Sequence, residues 1–99
     1  MPGDRAISYD ELFAGVQIMP KFFFNFRNGN TIAKDDLGID LPGLENARQA
    51  ALESAREMVA EDVKTNSSRP VEAVIVTDEV GRELLTICAN DVLPEALKR

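Results

Sequence analysis

Between Pro42 and Lys64 the apolar residues Leu44, Ala47, Ala51, Ala55, Met58, Val59 and Val63 recur every three or four positions, the spacing of one face of an α-helix. Pro42 suits a first helical turn, where its missing N–H would have no partner, and Gly43 is an acceptable N-cap. Arg48 and Asp62 fall at or near the apolar stripe. The methylenes of Arg48 can lie along a core edge while its guanidinium stays wet. Glu53, Glu57 and Glu61 mark the far side as solvated. A helix with one apolar stripe needs a sheet to cover.

From Lys21 the period is two. Phe22, Phe24 and Phe26 share one face, and Phe23, Asn25 and Arg27 point the other way. Asn28-Gly29-Asn30 signals a hairpin. A two-residue turn at Asn28-Gly29 would set Thr31 and Ala33 beside the phenylalanine face, whereas a three-residue loop sets Ile32 beside Phe26. The second register is favoured because it buries Ile32. Asp35, Asp36 and Asp40 flank Gly38, yet they lack the alternating ligands and closing glutamate of a calcium loop and read as a solvated turn. Ile39, Leu41 and Leu44 are expected to fasten this connection to the core. After the polar loop Thr65 to Pro70, Val71 to Thr77 is a β-branched central strand. Asp78-Glu79-Val80-Gly81 turns it back, with Gly81 at positive φ, into a strand from Glu83 to Cys88. Val92, Leu93 and Leu97 follow as cover for a core edge.

Residues 1 to 18 read as an N-terminal extension to a domain that starts at Met19 and runs to Arg99. Leu12, Phe13 and Val16 give the extension a short amphipathic stretch, and Ser8 with Glu11 fits a capping box. Such a segment is too short to be helical alone, so it docks on the domain or frays.

Three segments in order, Met19-Pro20-Lys21-Phe22-Phe23-Phe24-Asn25-Phe26-Arg27-Asn28-Gly29, Asp35-Asp36-x-Gly38-x-Asp40-Leu41-Pro42-x-Leu44-Glu45-x-Ala47-Arg48 and Val76-Thr77-Asp78-Glu79-x-Gly81-Arg82-x-Leu84, carry a resemblance. The chain resembles a family of small uncharacterised proteins, a domain of unknown function, from root-nodule and related soil bacteria, whose members open Met-Pro-x-Phe/Tyr-Phe-Phe. Family members usually carry an acidic residue where Gly43 stands, which implies a weaker helix cap here. The resemblance implies no activity and transfers no functional residue.

Composition narrows the function classes. Ninety-nine residues make one domain, and 17 acidic against 11 basic side chains give a net charge of −6. That balance argues against nucleic acid and anionic membrane as partners, and no apolar run reaches the length of a membrane span. The chain reads as cytoplasmic. With no histidine and a single cysteine, an enzyme would lack the usual general base, the usual partner of a nucleophile and the usual zinc ligands. Cys88 excludes an internal disulfide and reads as a small buried hydrophobe in its strand. Catalytic, cofactor and metal sites are therefore not expected.

The elements predict an α+β fold of two layers, a β-β-α-β-β antiparallel sheet with one long helix packed on one face. One helix leaves the other sheet face, which carries Phe23, uncovered. Leu12, Phe13, Val16 and Phe23 are the candidate interaction face. The expected function is a small non-catalytic interaction module, a homodimer that binds a protein or small ligand. The alternative is an acidic regulatory or antitoxin-like partner of a basic protein.

Overall fold

Alternation of phenylalanine with polar residues makes Lys21–Asn28 the first strand, β1, of a computed structural model that describes residues 19–94 and Ala96. Then come β2 (Thr31–Ala33), β3 (Ile39–Asp40), α1 (Leu44–Lys64), β4 (Ala73–Thr77), β5 (Glu83–Cys88) and a 3-10 turn over Ala89–Val92. The sheet runs β2-β1-β4-β5 and is antiparallel throughout, with β3 pairing β1 on the same edge as β2. The expected α+β architecture is observed, with β3 as an additional short strand.

Phe22 and Phe24 from β1 and Val74 and Val76 from β4 are buried against Ala47, Ala51 and Ala55 of α1. The alanine stripe lets the helix approach the sheet closely, and the sheet supplies the bulky partners. Phe26, Leu41, Leu85, Ile87 and Val92 complete the rim. The ends of the helix overshoot this core: Leu44 is 48% exposed and Val63 is 70% exposed. A helix of 21 residues is about 31 Å long. The five residues of β4 span only about 17 Å.

Gly43 is the N-cap, extended and without a side-chain cap, so Pro42 precedes the helix and is not in its first turn. Arg48 keeps its guanidinium in solvent, 3.3 Å from Glu45. At the other end Asn66, at φ 52°, lets the chain turn back, and the Asn66 and Ser67 N–H groups donate to the Val63 and Asp62 carbonyls.

Other sequence expectations are corrected. Asn28 lies opposite Thr31 and Phe26 opposite Ala33, so the turn is the two residues Gly29-Asn30. Gly29, at φ 63°, takes the first central position, which a type II′ turn reserves for glycine. Ile32 therefore faces away from the helix and is 48% exposed. Burial could not hold the favoured register, because every residue of β2 is exposed. Ile39 is also half exposed, and only Leu41 of that connection packs on the core. Cys88 is exposed, because Leu85 and Ile87 take the helix side of β5 and Cys88 is out of phase with them.

Candidate functional site

The two edges of the sheet are built differently. On the β1 edge the ladder is interrupted between β2 and β3, where the Phe24 N–H points outward. The Asp35 carboxylate takes the place of a neighbouring strand: Oδ2 accepts from Phe24 N–H at 3.1 Å, and Oδ1 accepts from the Leu37 and Gly38 N–H groups at 3.0 Å. Burial alone would raise the Asp35 pKa, but the donations from Gly38, Phe24 and Leu37 outweigh it and hold the carboxyl below its ordinary value. What reads in sequence as a solvated turn is thus a plug in the sheet edge.

Asn25, buried beneath that plug, ties it to the centre of the sheet. Its Oδ1 accepts from the Asp35 N–H at 3.0 Å, and its Nδ2 donates to the Ile75 carbonyl at 3.1 Å and to Thr77 Oγ1 at 3.2 Å. Gly38 closes the arrangement at φ 73°, so near to β1 that an added Cβ would meet Lys21 Cγ at 2.7 Å and Phe23 Cε2 at 2.9 Å. Lys21 also pairs with Asp40 at 3.0 Å.

On the opposite edge β5 has no described neighbour beyond β4. The Ala89 N–H donates to the Glu72 carbonyl at 2.8 Å, and the register runs from there through Val74 opposite Ile87 and Val76 opposite Leu85. By the alternation of an antiparallel ladder, Ile87 and Leu85 turn their backbone groups toward β4, and Thr86 and Cys88 turn theirs outward. Leu84 is the extra residue of a bulge at the start of the strand. Leu84, Thr86 and Cys88 are exposed. The hairpin that presents this strand is held by Asp78, whose Oδ1 accepts from the Val80 and Arg82 N–H groups and whose Oδ2 lies 2.7 Å from Arg82 Nε. The Arg82 N–H, ahead of the opposing effect of burial and the Arg82 side chain, holds the Asp78 pKa down. Gly81, at φ 86°, completes the turn as the sequence predicts.

Of the candidate interaction residues, Leu12, Phe13 and Val16 lie outside the described residues. Phe23 is half-buried on the sheet face away from α1, with its ring against Gly38. Its face is mixed, not uniformly apolar: the register places Asn25, Arg27, Ala73, Ile75 and Thr77 on it. A separate groove of about 660 Å³ lies between the end of α1, the loop before β4 and the 3-10 turn, lined by Val59, Asp62, Val71 and Leu93 among others. One wall is fixed by the Val71 N–H donating to Asp62 Oδ2 at 2.8 Å. Among the described residues no three of histidine, cysteine, aspartate and glutamate are grouped to hold a metal ion, and no helix is long and apolar enough to cross a membrane.

Sequence reasoning reaches Asp35 only as part of a solvated turn and does not single out Thr86. The available signal for Thr86 is that Glu83 to Cys88 carries no lysine or proline, the residues that usually blunt an edge strand.

Residues 21–89 match a family described as a domain of unknown function, DUF6894. No curated protein and no solved structure matches the chain.

Proposed function

Because the chain belongs to the DUF6894 family over residues 21–89, a domain to which no function is attached, we propose a function from its own geometry: a small, non-catalytic interaction module of the bacterial cytoplasm. It holds a protein partner by adding that partner's strand to β5. The observation that carries this reading is the contrast between edges, one plugged by Asp35 and one a regular strand from Leu85 to Cys88 with no neighbour among the described residues. An added strand gains main-chain hydrogen bonds from Thr86 and Cys88, and side chains on the two faces of β5 give it selectivity. The chain has no histidine, which supports binding over proton-transfer chemistry. Tagged full-length protein and its Thr86→Pro variant, each recovered from the native host and analysed by mass spectrometry, test the reading. A partner, a second copy included, is expected with the wild type and lost from the variant. Identical recovery from both would overturn strand addition.

A second reading draws on Glu53, Glu57 and Glu61, which form an exposed acidic row on the outer face of α1. With a net charge of −6, that row suits an acidic regulatory or antitoxin-like partner of a basic protein. Partner recovery would then fall with added salt and in a triple lysine variant of the row, and would survive Thr86→Pro.

A further inference from the structure

The strand that β5 accepts is identified by the strand itself. We infer that it is β5 of a second copy, paired antiparallel about a two-fold axis at Thr86, so that two sheets become one. This deepens the strand-addition reading and rests on it.

Residues whose backbone groups point outward must face each other across such a dyad, and a dyad at Thr86 sets that residue against itself. In that register Thr86 faces Thr86 of the other copy, and the two side chains meet through their methyl groups while each hydroxyl donates to its own Glu83 carboxylate. Leu85 then faces Ile87 on the helix side, where both already pack on the core rim, so the two cores become continuous. Leu84 faces Cys88 on the other side, two exposed apolar residues covering one another. Glu83, the one charged residue of the strand, falls opposite Ala89 in the backbone register, with its carboxylate folded back onto the Thr86 hydroxyl of its own copy at 2.6 Å. Sliding the register one ladder step one way sets Glu83 against Ile87. Sliding it the other way runs the strand into the 3-10 turn that begins at Ala89. The register centred on Thr86 keeps Glu83 away from Ile87 and sets the pairs from Leu84 to Cys88 ahead of the 3-10 turn. The same segment, apolar and β-branched beyond Glu83, would be an aggregation hazard if left bare. A closed two-fold pair removes it.

Light scattering on the full chain over a wide concentration range, with two variants, tests the inference. The wild type is expected to be a dimer. Thr86→Pro removes an N–H that no described residue accepts from, so it is expected to keep its helical circular dichroism and become monomeric. In a Cys88→Ser background, Thr86→Cys is expected to give a reducible disulfide-linked dimer under mild oxidation, and Val80→Cys, at the hairpin tip, is not. A monomeric wild type overturns the inference, and if Thr86→Pro still loses a host partner the strand-addition reading survives without it. A dimer that persists in Thr86→Pro and dissociates in Phe23→Asp also overturns it and moves the contact to the Phe23 face.

Discussion

Asp35 satisfies backbone N–H groups of Phe24, Leu37 and Gly38 with one carboxylate. Asp35→Ala leaves the Phe24 N–H at a partly buried position without its acceptor, and is expected to destabilise by about 1–3 kcal/mol. For a domain of this size each kcal/mol is read as a fall of roughly 4–8 °C in Tm. The folded-state pKa is depressed, so the contribution of the charge is complete above the unfolded value of about 3.9 and is lost as the pH falls through the lower folded value. The Tm gap between wild type and Asp35→Asn should therefore close in that acid window and stay constant near neutral pH. Gly38 and Gly81 both need positive φ, but they are not equivalent. A side chain at Gly81 meets open space, whereas one at Gly38 strikes Lys21 and Phe23. Gly81→Val is expected to cost about 1–2 kcal/mol from backbone strain. Gly38→Ala, a smaller side chain, should cost more, and equal thermal shifts would show that the close approach is relieved without cost.

Packing of α1 turns on its alanines. Ala51→Leu forces extra carbons into a site with no free surface and should destabilise by about 1–3 kcal/mol. Val63→Ala, on the overshooting last turn, should stay within about 0.5 kcal/mol of wild type in a denaturant titration. The helix and the β4–β5 hairpin are legible in sequence because their periods and turn residues agree with what the core demands. Phe22, Phe24 and Phe26 are legible for the same reason. The β1–β2 register is not, since β2 buries nothing and turn chemistry at Gly29 decides where burial of Ile32 was expected to. Cys88 was misjudged because its strand is only half covered, and a residue's phase matters more than its type. The place of β5 at the end of the described sheet is hidden for a deeper reason: strand order depends on how the hairpins join, and no local pattern encodes that.

At the scale of the molecule, every described strand and α1 lie from Lys21 onward, so a chain that begins at Met19 should fold and melt cooperatively. A truncated protein without a melting transition would place essential contacts in residues 1 to 18. The order β2-β1-β4-β5 joins two local hairpins through one central pairing, in which Phe23 meets Thr77 from more than half the chain away. That arrangement sets the kinetics of folding. Each hairpin forms from neighbours in sequence, but bringing β1 to β4 requires closure of the long connection that contains α1, whose entropy cost comes before any of the contacts across it. The slow step is then the meeting of two preformed hairpins, with the β4–β5 turn already made at the barrier. Gly81→Val should consequently slow refolding in stopped-flow experiments and leave the unfolding rate nearly unchanged. A faster unfolding arm with an unaltered refolding arm would show that the second hairpin closes only after the two halves have met.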